Sequence, residues 1–173
     1  MARFSHIDSA GGFVAVVLGL AFFTSIALAL EPPEAGTVPE AEAEYPINEL
    51  PMYGLRDKTA AQRRADEAYI RFMTAGGRSR EEAAEIAAKN AWNVFYSGDK
   101  AAAIRRFNQA WLLDPDNQLA LWGFAVTSID RGDWDAALHY YRMAMESGPE
   151  NPRLERDYNL ALQHIEKTHS PQP

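Results

Sequence analysis

Apolar positions in the C-terminal two-thirds of the chain fall on helical spacing. Ala103 and Ala110 lie seven residues apart, as do Ala137 and Ala144, and each pair shares one face two turns apart. Phe107 and Tyr141 fall between them. Further upstream, Ala65, Tyr69, Phe72 and Met73 mark one face of a helix predicted from about residue 60 to 75, which Gly76-Gly77 ends. Polar punctuation agrees with these helices. Thr59 followed by Gln62, and Ser79 followed by Glu82, are capping boxes. Asp114-Pro115-Asp116-Asn117 and Gly148-Pro149-Glu150-Asn151 read as helix stops followed by N-cap residues, with Pro152 suited to a first helical position.

The same signals recur at an offset of 34 residues. Ser97-Gly98-Asp99 corresponds to Arg131-Gly132-Asp133, and Ala102, Ala103 and Ile104 to Ala136, Ala137 and Leu138. Phe107 corresponds to Tyr141, Ala110 to Ala144, Pro115 to Pro149 and Asn117 to Asn151. With small residues at Ala91, Ala103, Ala110, Ala125, Ala137 and Ala144, this stretch resembles the tetratricopeptide repeat family, whose period is about 34 residues. The resemblance covers roughly residues 80–167 and extends to small exported bacterial proteins of that family.

It implies an all-α fold, a short right-handed helical solenoid of helix–turn–helix repeats closed by capping helices. The repeats fall at about 84–117 and 118–151. Residues 152–167 resemble a third first helix, with Tyr158 at the place of Phe124, and cap the C-terminal end. The helix near 60–75, within an N-terminal extension over 50–79, covers the other end. The first helices depart from the family, which usually carries Trp, Leu, Gly and Tyr where this chain has Ala87, Asn90, Ala91 and Val94, then Leu121, Phe124, Ala125 and Ser128.

Ahead of the repeats lie two other kinds of segment. From Gly11 to Leu30 there is no charged side chain, enough to cross a hydrocarbon core of about 30 Å. Arg3 before it and Glu31 and Glu34 after it orient the remainder outside the cytoplasm. Ala27-Leu28-Ala29 suits signal peptidase, whereas the length of the run suits a retained anchor, so residues 1–30 read as a signal peptide or an N-terminal membrane anchor. Residues 31–49 hold six Glu and no base, with Pro32, Pro33, Pro39 and Pro46, and form an acidic tether. The piece from Tyr45 to Gly54, YPINELPMYG, is too apolar for a spacer; it is expected to pack on the following domain, the alternative being a docking peptide. Residues 168–173 read as a tail.

Charge and chemistry narrow the function. The net charge of −7 belongs to the tether, because residues 50–173 hold 16 basic and 17 acidic side chains. No basic patch with interleaved aromatics is present, so nucleic acid is not an expected partner. Without cysteine there is no disulfide framework, thiol nucleophile or cysteine-based zinc site. His6, His139, His164 and His169 show no metal spacing. Asp114, Asp116 and Asn117 begin like a calcium loop, but Leu119 stands where Gly is required and Ala125 where the bidentate Glu is required. Arg131-Gly132-Asp133 is accounted for by a turn between paired helices. No cofactor, metal or catalytic constellation is expected.

The family resemblance implies a concave surface lined by the first helix of each repeat. It would carry Glu85, Lys89, Trp92 and Tyr96, then Leu119, Trp122, Val126 and Ile129, then Arg153, Arg156 and Leu160. Some relatives clamp a C-terminal carboxylate there, but Trp92, Val126 and Leu160 take the matching places, which favours an apolar or amphipathic protein segment. Trp92 and Trp122 read either as exposed anchors or as residues buried under the 60–75 helix or the Tyr45–Gly54 piece. The expected function is protein–protein interaction as an adaptor or assembly factor, periplasmic or anchored outside the cytoplasmic membrane. The alternative is a self-assembling envelope component; an unrecognised enzyme ranks below both.

Overall fold

The computed structural model describes residues 45–169. The apolar run Gly11–Leu30, the tether up to residue 44 and residues 170–173 lie outside the described residues. Among the described residues six α-helices follow one another and no strand occurs: α1 Ala60–Met73, α2 Arg80–Tyr96, α3 Lys100–Leu113, α4 Gln118–Asp130, α5 Trp134–Glu146 and α6 Pro152–His169. The last helix runs to His169, past the point where the tail was expected to begin.

Side chains placed by the sequence set the helix ends. Thr59 and Ser79 each accept from the N–H three residues on, while Gln62 and Glu82 reach back to the cap N–H. Asp99 accepts from the Ala102 N–H at 2.8 Å and Asp133 from Ala136 at 3.0 Å, so the cap repeats at the 34-residue offset. Asn117 caps α4 through Ala120 N–H at 3.0 Å, and Asn151 begins α6 through Arg153 N–H at 3.1 Å. At a C-terminal end the Arg80 guanidinium donates to the Leu112 and Leu113 carbonyls, closing α3 from the neighbouring helix.

The hairpins α2–α3 and α4–α5 are the most extensive helix pairs, and α3–α4, α5–α6 and α2–α4 contacts join them into a helical repeat solenoid. Small residues make that approach possible. Ala83, Ala84, Ala87, Ala88 and Ala91 of α2 are buried, as are Ala103 and Ala110 of α3 and Ala137 and Ala144 of α5. The tightest point is Gly123, where an added Cβ would stand 2.3 Å from the ring of Phe107. Phe107, Ile104, Phe124 and Tyr141 are shut off from solvent almost completely, and burying each apolar side chain of that size stabilises by roughly 1.5–3 kcal/mol.

α1 closes the N-terminal end through Tyr69, Ile70 and Met73, which pack on the alanine face of α2 and on Leu113. Phe72, expected on that face, is 77 % exposed. Asp66, Tyr69, Ile70 and Met73 form the i, i+3, i+4, i+7 stripe, and Phe72 falls roughly a quarter turn to its side.

Upstream of α1 the piece YPINELPMYG packs on the repeat domain, along α3. Two short 3₁₀ turns, Ile47–Glu49 and Pro51–Leu55, lie against that helix. Asn108 of α3, fully buried, donates to the carbonyls of Asn48 at 2.9 Å and Leu50 at 2.8 Å and accepts from the Tyr53 N–H at 3.3 Å. Glu49 pairs with Arg105, and Met52 enters the core. The Tyr53 ring meets Trp111 at 6.3 Å and lies under the Lys58 ammonium at 3.3 Å. Met52, Tyr53, Gly54 and Leu55 all have positive φ, between 52° and 62°. A left-handed turn of that kind costs about 1 kcal/mol or more for each non-glycine residue, so the contacts with α3 must hold it.

Candidate partner-binding face

The inner stripe of α2 is built from residues at helical spacing, but its members differ in surroundings. Lys89 is exposed and pairs with Glu85 at 3.1 Å, one turn away. Trp92 is half-buried, and its indole N–H donates to the Leu119 carbonyl at 3.1 Å, tying α2 to the first turn of α4. Around Trp92 stand Trp122 at 5.1 Å, Phe107 at 5.4 Å, and Phe95 and Tyr96 at 5.5 Å between ring centres. Most of these pairs are edge-to-face, the arrangement favoured by aromatic quadrupoles. Tyr96, at the end of the stripe, is 68 % exposed.

On α4, Leu119, Val126 and Ile129 are half-buried, while Trp122 is only 7 % exposed. Trp122 is therefore a member of the core and not a projecting anchor. Met52 of the Tyr45–Gly54 piece belongs to the same core cluster as Trp122. The Trp92 ring stands against Trp122. The Trp122 N–H is closed off from solvent without a hydrogen-bond partner. Burial, then the Asp157 charge, pushes the Tyr141 phenol above its ordinary range, and the Trp122 N–H offsets this slightly.

On α6, Arg153 and Arg156 are exposed and Leu160 is 58 % exposed. Arg156 Nε reaches Asp157 only at 3.9 Å, beyond hydrogen-bond distance. Between α4, α5 and α6 lies a cleft of about 320 Å³, bordered by Ile129 of α4 and Leu160 of α6. Its other walls include Trp134, Tyr141, Asp157 and His164. Composition did not reveal this cleft. Comparison at the 34-residue offset carries the signal, because Asp157 stands where the preceding interface has Gly123.

The face thus brings together an aromatic group on α2, an aliphatic band on α4 and a basic–apolar edge on α6. Tyr96 and Leu160 stand open on this surface. Among the described residues no group of His, Asp and Glu is arranged to hold a metal ion, and no helix is long and apolar enough to cross a membrane. His139 is exposed on α5.

Residues 95–156 match the family model of the tetratricopeptide repeat, from the end of α2 to the first turns of α6. No curated protein matches the chain. The chain thus carries tetratricopeptide repeats within an all-α helical solenoid, and repeats of this kind are typically non-enzymatic modules that bind protein partners.

Proposed function

We propose that this protein is an adaptor or assembly factor that holds an apolar or amphipathic segment of a partner protein on the inner face formed by α2, α4 and α6. The observation that carries the reading is the mostly uncharged run from exposed Tyr96 through the half-buried Val126 and Ile129 to exposed Leu160. Its two ends, Tyr96 and Leu160, are among the large hydrophobic side chains left exposed. Exposed apolar side chains gathered on one face favour association, and aromatic side chains dominate binding hot spots. Placement outside the cytoplasmic membrane, in the periplasm or tethered to it, rests on the uncharged run Gly11–Leu30 and the Glu/Pro-rich stretch behind it. A bacterial envelope complex fits these features.

Photo-crosslinking in the producing cell, with the probe at Tyr96 and mass spectrometry as readout, tests both parts. A foreign envelope protein in the crosslink supports the adaptor reading. Crosslinks only between copies of this chain would replace it with self-assembly, and cytoplasmic partners alone would overturn the export reading.

A further inference from the structure

The two inter-repeat interfaces are related by the 34-residue offset, and they differ in one respect that bears on a ligand. In the first, the Lys100 ammonium lies 3.2 Å from the centre of the Phe95 ring and pairs with Asp130 at 3.3 Å. The chain supplies its own cation there, and Phe107 closes tightly onto Gly123. In the second, Phe95, Lys100, Phe107, Gly123 and Asp130 are replaced by Ile129, Trp134, Tyr141, Asp157 and His164. The ion pair has become a ring stack, Trp134 on His164 at 3.7 Å and 17°. Where glycine allowed close contact, a carboxylate now stands, and the cleft of about 320 Å³ is open.

Asp157 lacks a strong internal partner. Its side chain is 32 % exposed, and the Arg156 Nε at 3.9 Å is too distant for a hydrogen bond. Asp157 lines the cleft together with Tyr141, whose phenol its charge helps to raise. The remaining lining is aromatic or aliphatic. A carboxylate among aromatic walls suits a weakly hydrated planar cation that can stack while it pairs.

We propose that the cleft between α4, α5 and α6 receives an arginine side chain of the docked segment, its guanidinium paired with Asp157 and its stem lying among Ile129, Trp134 and Leu160. This rests on the inner-face reading and adds a charge requirement to it. The partner segment is then apolar with an arginine at the position that meets α6.

The test uses the full-length chain in mild detergent, with its four tryptophans ¹⁵N-labelled and their indole signals followed by NMR. The probe is Nα-acetyl-arginine amide, compared with the neutral isostere Nα-acetyl-citrulline amide. The expected result is a saturable shift of the Trp134 signal with arginine, with Trp111, on the face covered by Tyr53, unmoved. Citrulline should bind about tenfold more weakly, and Asp157→Asn should abolish the difference. Equal binding of the two probes, no Trp134 shift with arginine, or an arginine preference that survives Asp157→Asn would overturn the proposal. Should Asp157→Asn fail to fold, the arginine–citrulline comparison on the unaltered chain decides alone. A foreign crosslink at Tyr96 together with no arginine preference would sink the cleft assignment and leave the inner-face reading standing.

Discussion

The side-chain amide of Asn108 donates to the main-chain carbonyl of Leu50 at 2.8 Å, joining residues 58 positions apart in sequence. With its bonds to Asn48 and Tyr53, this amide satisfies three backbone groups of the segment that lies along α3. Asn108→Ala would remove the side-chain partner of the Asn48 carbonyl and leave the Leu50 carbonyl and Tyr53 N–H with only their bond to each other at 3.0 Å. The expected loss is about 2 kcal/mol or more in chemical denaturation, with faster proteolysis within residues 45–58 as the local signature. A change below roughly 0.5 kcal/mol would mean that the amide does not hold this segment.

Gly123→Ala separates packing from propensity. In an open helix the substitution would stabilise by up to about 1 kcal/mol. Here the new methyl would meet the fully buried Phe107 ring, with three ring atoms within 2.5 Å. We expect a net destabilisation of about 3 kcal/mol, read as a lowered Tm. A gain in stability would show that α3 and α4 stand further apart.

Trp92 and Trp122 touch but should answer differently to the same change. Trp92→Phe removes the hydrogen bond to Leu119 and should cost about 1 kcal/mol beyond the lost ring area. Trp122→Phe removes an N–H that has no partner, so the polar part of its cost should vanish. Trp122→Ala should cost about 4 kcal/mol of stability as a core cavity. Denaturation midpoints of the three variants check this, and an equal polar penalty for the two Phe variants would contradict the assigned roles.

Tyr96→Ala should do the reverse. Its side chain is 68 % exposed, so stability should change by no more than roughly 0.5 kcal/mol. Crosslinking from a neighbouring probe at Lys89 should fall several-fold if Tyr96 is a contact residue. Unchanged yield would remove it from the binding face.

Alkaline pH offers an independent check on burial. Tyr53, Tyr69, Tyr140 and Tyr141 are all held above the ordinary phenol value of 10.0, in each case chiefly by burial. Above that value the unfolded chain loses these protons while the folded chain keeps them. Stability is therefore expected to be flat up to about pH 10 and to fall as pH rises further. A spectrophotometric titration near 295 nm should show these phenols ionising late and together with loss of helical signal. Ionisation of every tyrosine at the ordinary value, with the helices intact, would contradict their burial.

The sequence by itself determined the helices, their caps and their repeat. Asp99 and Asp133, Asn117 and Asn151, and the boxes at Thr59 and Ser79 act within three residues, so local geometry suffices to read them. The spacing of small residues also made the stacked architecture legible, because Ala103, Ala110, Ala137 and Ala144 recur with the helical turn. Placement on a face was only partly legible. Trp122 and Trp92 share the expected inner side, yet their depths differ, because the side chains packed on each come from other helices. Phe72 passed for a core residue because an apolar residue beside a stripe looks like one within it.

Tertiary structure decided what depends on contacts between distant residues. Asn108 looks like any helix-face amide until the segment from Asn48 to Tyr53 lies across it, and the cost of burying it is met only there. The cleft at Asp157 likewise lies between residues of α4, α5 and α6 that are far apart in sequence. Period, caps and helical faces are short-range quantities that a chain carries in order. Burial and open space are sums over neighbours, and the packed helices alone determine which neighbours those are.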